Sequence, residues 1–156
     1  MEVIIDGKKI HYEMEGEGYP VILLHGWLAN LKTMQPIANG LKQKFKVYNI
    51  DVIGFGESDL PDNPMTTDDY GNFIKRIMQS LNINEPILIG HSNGGRAIIN
   101  AVGRGIVKSR KVVLIDSAGI KPKRNIKYYI KVYTFKARKK NIKNIAEHRK
   151  NPRKTL

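Results

Sequence analysis

The sequence predicts an α/β fold built on a mostly parallel sheet, with an antiparallel hairpin at its start and helices on both faces. Three observations predict it. Short apolar runs at residues 21–24, 47–50, 87–89 and 112–115 alternate with stretches whose apolar side chains recur at helical spacing. Strands alternating with helices imply parallel βαβ units with right-handed crossovers. The opening residues instead carry two alternating runs on either side of Asp6-Gly7, a dipeptide that supplies the positive φ angles of a tight hairpin turn.

In the hairpin, Val3 and Ile5 alternate on one run and Ile10, Tyr12 and Met14 on the other, so each has one buried face. Residues 16–20 end it. The run at 21–24 is short and fully apolar, the type buried on both faces of a parallel sheet. His25-Gly26-Trp27 follows directly. Met34, Ile37, Ala38 and Leu41 mark an amphipathic helix. The next strand, 47–50, runs into Asp51-Val52-Ile53-Gly54-Phe55-Gly56-Glu57-Ser58. This is a glycine-rich loop and no dinucleotide fingerprint, because a third glycine opening a helix does not follow. Thr66 and Asp69 stand at capping-box spacing before the stripe Tyr70, Phe73, Ile74, Ile77, Met78 and Leu81.

The run at 87–89 leads into Gly90-His91-Ser92-Asn93-Gly94, after which Ala97, Ile98, Ala101 and Val102 continue at helical spacing. Strand, Gly-x-Ser-x-Gly and helix in that order make a nucleophile elbow. The turn is sharp, so the strand and helix backbones meet where only glycine fits. Ser92 stands at the tip with its hydroxyl exposed. Asn93 opens the helix, and its backbone N–H faces the reacting oxygen. The last strand, 111–115, ends in Asp116-Ser117-Ala118-Gly119.

The 156 residues suit one core-forming domain, and 41% of them are hydrophobic. The chain has no cysteine, which excludes disulfides, cysteine–zinc sites and thiol nucleophiles. No secretory pattern opens it and no apolar run approaches a membrane span, so the expected compartment is the cytoplasm. The net charge of +13 is local. Residues 1–120 balance 13 Lys and Arg against 13 Asp and Glu, whereas residues 121–156 hold 14 basic side chains and one acid, Glu147. Within that basic segment Ile126, Tyr129, Ile130, Tyr133 and Ala137 form a helical stripe, and Ile142, Ile145 and Ala146 suggest a second short helix.

Three motifs now stand in order: His25-Gly26-Trp27 after a strand, Asp51-x-x-Gly54-x-Gly56-x-Ser58, and Gly90-His91-Ser92-Asn93-Gly94-Gly95. Together they resemble the α/β-hydrolase superfamily, in its esterase, lipase and peptidase-like branch, over about residues 2–120. The resemblance implies Ser92 as nucleophile and an oxyanion hole made by the backbone N–H groups of Trp27 and Asn93. It implies a small-molecule substrate, with no cofactor and no metal. Serine at the elbow argues against haloalkane dehalogenase and epoxide hydrolase chemistry, which in this superfamily use aspartate. His25, Asp51 and Ser58 read as residues that fix loops, and the side chain of His91 is expected to point away from the reacting centre. Trp27 either lines a pocket or packs.

The superfamily places an acid and then a histidine after the nucleophile. Here Ser92 is followed by Asp116, Glu147 and His148. Asp116, at a strand end, could orient a histidine, although a structural role is favoured; His148 lies in the basic segment. The sequence is therefore expected to hold a partial core at 1–120 and the start of a helical cap at 121–156, with the fold incomplete at the C-terminus. Two functions follow: a serine hydrolase acting on an ester, amide or related carbonyl bond, or a non-catalytic binding module whose basic tail contacts an anionic partner. For the tail, a solvated face is favoured over a membrane surface, and nothing points to specific nucleic acid. Oligomeric state is left open.

Overall fold

The hairpin forms where the dipeptide signal places it. β1 (Glu2–Ile5) and β2 (Lys8–Glu15) pair antiparallel, with Ile5 opposite Lys8 across the turn. Asp6 and Gly7 both take positive φ, 49° and 76°, which matches the turn twist to that of the strands. These coordinates form a computed structural model that describes residues 1–120, 126–136 and 138.

Four more strands follow: β3 (Tyr19–Leu24), β4 (Phe45–Ile50), β5 (Ile87–His91) and β6 (Lys111–Ile115). The six strands lie in the order β1-β2-β4-β3-β5-β6. β2 meets β4 antiparallel, and β4, β3, β5 and β6 run parallel. β3 and β4 each begin two residues before their apolar runs, because Tyr19 pairs with Phe45 and Pro20 with Lys46. Backbone pairing there outlasts the apolar signal, and Pro20 sits near the start of its strand, where a missing N–H is tolerated.

The connections are a 3-10 turn at Leu31–Thr33 leading into α1 (Gln35–Leu41), then α2 (Thr67–Ser80) and α3 (Asn93–Gly103). From β3 the chain steps to one side, to β4, and then crosses back to β5 and β6. Right-handed crossovers therefore put α1 on one face and α2 and α3 on the other. Packing agrees. Ile22, Leu24, Ile50 and Leu88 point to the face covered by Phe73, Ile77, Ile98 and Ala101. Their strand neighbours Val21, Leu23, Val47 and Ile89 point to Met34 and Ala38.

β6 carries the apolar run 112–115 and stands at the edge of the sheet. Val112 and Val113 are 38% and 43% exposed, and among the described residues no strand pairs with the outer edge of β6. The chain divides into two compact units, Met1–Ile120 and Lys121–Leu156. In the second, residues 126–136 are helical. The expected stripe at Ile142, Ile145 and Ala146 lies outside the described residues, as do Glu147 and His148. No described helix is long and apolar enough to cross a membrane.

α2 starts as its sequence requires. The Thr66 side chain accepts from the Asp69 N–H, and the Asp69 carboxylate accepts from the Thr66 N–H at 2.7 Å. Thr66→Ala removes one half of this box. It should lower the unfolding free energy by about 1 kcal/mol, read as a lower urea midpoint with an unchanged slope.

Candidate active site

The strand order alone selects where a site forms. β3 and β5 are neighbours, yet the helix after β3 lies on one face and the helix after β5 on the other. A crevice opens at the carboxyl ends of two such strands, and ligands of open α/β sheets bind there. Leu24 is paired with Gly90, so the residues that follow, His25-Gly26-Trp27 and His91-Ser92-Asn93, emerge side by side.

Ser92 is the residue on which this end turns. Its φ and ψ are 49° and −109°, outside the regions open to ordinary side chains. Such a conformation costs about 1–3 kcal/mol and persists only when its surroundings enforce it. The enforcement is visible. A Cβ on Gly94 would lie 2.4 Å from the Leu24 carbonyl oxygen, and one on Gly90 would lie 2.5 Å from the Gly95 nitrogen. The helix start is pressed onto both strands, and no methyl group fits between. The Ser92 N–H donates to the Ile115 carbonyl at 3.0 Å and the Ala118 N–H donates to the Ser92 carbonyl at 3.0 Å, so the end of β6 clamps the turn.

The turn after β3 reaches the same point. A Cβ on Gly26 would lie 3.2 Å from Ser92 Cβ and 3.0 Å from His91 Nδ1. The His91 ring thus packs along the Gly26 backbone. Among the described residues, neither the Trp27 N–H nor the Asn93 N–H has a hydrogen-bond partner. Trp27 both packs and lines: its ring meets Phe55 edge-on at 5.0 Å, it is 60% exposed, and it borders a cleft together with Tyr70, Asn93 and Arg96. A small, largely apolar pocket bounded by Gly26, Phe55, Phe73 and Asn93 lies beside it.

His25 and Asp51 hold the loops. His25 Nε2 accepts the Val52 N–H at 3.0 Å, which leaves Nδ1 to carry the proton that it donates to the Gly26 carbonyl at 2.8 Å. Both ring nitrogens are committed, and burial pushes the pKa of His25 below its ordinary 6.5. Asp51, also buried, accepts from the Leu31 N–H at 2.7 Å, the Glu57 N–H at 3.0 Å and His11 Nδ1 at 2.9 Å. The Ser58 hydroxyl donates to the Asp51 carbonyl at 2.7 Å. The loops after β3 and β4 are thereby tied to β2 through one carboxylate.

Asp116 follows β6 with φ at 41° and is exposed at the same end of the sheet. Among the described residues its carboxylate bonds to no histidine. Sequence reasoning missed three residues that matter here: His11 as the partner of Asp51, Phe55 as the support of Trp27, and Arg96 in the cleft. Only Arg96 carried a readable signal, a cation in the first turn of a helix, where the dipole disfavours it. Among the described residues no group of three or more His, Asp or Glu stands where it could hold a metal.

Residues 19–131 match the α/β-hydrolase fold family. The chain belongs to it. Among characterised relatives it is similar to a soluble epoxide hydrolase of Corynebacterium sp. strain C12, 29% identical over 60% of this chain and 33% of that one. It is also similar to a 2-(acetamidomethylene)succinate hydrolase of Mesorhizobium japonicum, 30% identical over 65% of this chain and 37% of the relative. Among solved structures, the esterase EaEST of Exiguobacterium antarcticum superposes with a TM-score of 0.69 at 28% identity, over 80% of this chain and 47% of that one. The chain thus spans about a third of the length of the curated relatives it matches.

The lowered pKa of His25 has a consequence for stability. Above pH 6.5 the ring is neutral in both folded and unfolded chains, and stability is fully present. As pH falls below 6.5 the unfolded ring takes up a proton that the folded ring resists, and stability declines. Between about pH 7.5 and about pH 5.5 the urea midpoint should fall further for the native chain than for His25→Gln. Equal losses in the two would remove His25 as the cause.

Proposed function

We propose that this chain carries the nucleophile and oxyanion hole of a serine hydrolase. Ser92 Oγ attacks the carbonyl carbon of an ester, amide or related bond, and the Trp27 and Asn93 N–H groups receive the negative oxygen that develops. The observation that carries the reading is the strained Ser92 backbone at a strand–helix turn, with two unpartnered N–H groups flanking it. Strain at one serine, held by close backbone packing, is how a fold presents a hydroxyl for reaction. Two donors about 3 Å from the developing oxyanion would stabilise the transition state more than the ground state.

The names of the relatives, an esterase and an amidomethylene-succinate hydrolase, support hydrolysis at a carbonyl centre. The likeness to an epoxide hydrolase speaks for the fold more than the reaction, because Ser92 occupies the elbow tip.

A serine hydroxyl needs a base at neutral pH. His25 is committed at both ring nitrogens, His11 lies on β2 with β4 and β3 between it and the strand that carries Ser92, and His91 precedes Ser92 in the turn itself. The base in this reading is a histidine other than His11, His25, His91 and His148, with Asp116 as a candidate orienting acid.

With imidazole supplied in solution as the base, a fluorophosphonate probe should add covalently to the peptide containing Ser92, seen by mass spectrometry, and should fail to add in Ser92→Ala. Addition elsewhere, or undiminished addition in the variant, would favour the binding-module alternative. Turnover of p-nitrophenyl acetate by the 156-residue chain should stay near background. Robust turnover, abolished by both Ser92→Ala and His148→Ala, would instead make His148 the base.

A further inference from the structure

Arg96 is out of place by the ordinary rule for helices. It lies in the first turn of α3, which holds no acidic residue. The N-terminal end of a helix carries partial positive charge, so a cation there is unfavourable and an anion is favoured. A sequence that breaks a local rule without structural compensation does so most often at a functional position.

No compensation appears. Among the described residues Arg96 forms no ion pair. The acids at the start of α2 are engaged elsewhere: Asp68 binds Asn100 and Arg104, and Asp69 binds Thr66. The Arg96 side chain is exposed, and it lines the cleft that also holds Trp27, Thr67, Tyr70 and Asn93. Its stem is positioned by the loop after β6, since a Cβ on Gly119 would lie 3.4 Å from Arg96 Cγ. Arg96 therefore lines the same cleft as Trp27 and Asn93, whose N–H groups are the proposed oxyanion donors.

We propose that Arg96 anchors a carboxylate borne by the substrate, so that this site takes acyl compounds carrying a second, ionised carboxyl group. The proposal rests on the hydrolase reading for the identity of the cleft. Guanidinium presents paired N–H donors that match the two oxygens of a carboxylate, a geometry that an ammonium lacks. Bound there, the carboxylate also relieves the charge conflict between Arg96 and the helix end. Arg96 is in this sense a specificity-determining residue and takes no part in bond making.

The single tryptophan of the chain is Trp27, so cleft occupancy can be read by its fluorescence. Monomethyl glutarate and dimethyl glutarate differ chiefly in one ionised carboxyl group. The monoester should perturb Trp27 saturably and bind at least about tenfold tighter than the diester. Arg96→Gln should abolish that preference, and Arg96→Lys should restore only part of it. Equal binding of the two esters, no response to either, or an undiminished preference in Arg96→Gln would overturn the proposal. The same titration in Ser92→Ala separates it from the hydrolase reading. A preference that survives there, with no covalent labelling of Ser92 in the native chain even when imidazole is supplied as the base, leaves the anion site standing while the nucleophile falls. Labelling of Ser92 with no preference for the monoester does the reverse.

Discussion

The structure depends on one close approach, that of the first turn of α3 to the ends of β3 and β5. With Gly94 against the Leu24 carbonyl and Gly90 against Gly95, the helix start lies too near the sheet for any side chain to intervene. That proximity sets everything at this end of the sheet. It forces Ser92 to φ 49°, and it brings the Gly26 backbone to the side of the elbow. It also leaves the Asn93 N–H without an intrahelical partner, because the first N–H groups of a helix have none. The geometry of this turn is thus made almost wholly from backbone, and the side chains around it keep the backbone there.

Asp51 is the other fixed point. A buried carboxylate is costly unless donors surround it. Here the donors come from three separate segments: Leu31, Glu57 and His11. Each bond satisfies the charge and immobilises a loop at the same time. His25 acts similarly on a smaller scale, since its two ring nitrogens link the turn after β3 to the start of the loop after β4. The loops that border the crevice are therefore held by buried polar groups and not by apolar packing alone. Such an arrangement rigidifies the loops that it ties together.

Much of this was legible in the sequence, for physical reasons that differ by element. Asp6-Gly7, Thr66 with Asp69, and Gly90 to Gly94 are local signals, and each acts within a few residues of itself. Alternating short apolar runs and helical stripes gave the α/β class because burial on both sheet faces demands them. The order of the strands was not legible, since it depends on pairings between segments distant in sequence. The same holds for His11 beside Asp51 and for Phe55 beneath Trp27. The apolar run of β6 reports a strand's capacity to be covered on both faces, while its outer edge and two valines are open among the described residues.

The histidines show how far local chemistry divides the labour of such a site. His25 cannot accept a proton at Nε2 without losing the Val52 N–H, and its Nδ1 already donates to the Gly26 carbonyl. His11 is turned to Asp51. His25 serves the fold by holding both bonds at once, whereas a general base must release one during reaction. A histidine fixed at both nitrogens is therefore excluded from proton transfer by the same bonds that make it structurally useful. Under the hydrolase reading proposed above, proton transfer then falls to a group held by different constraints.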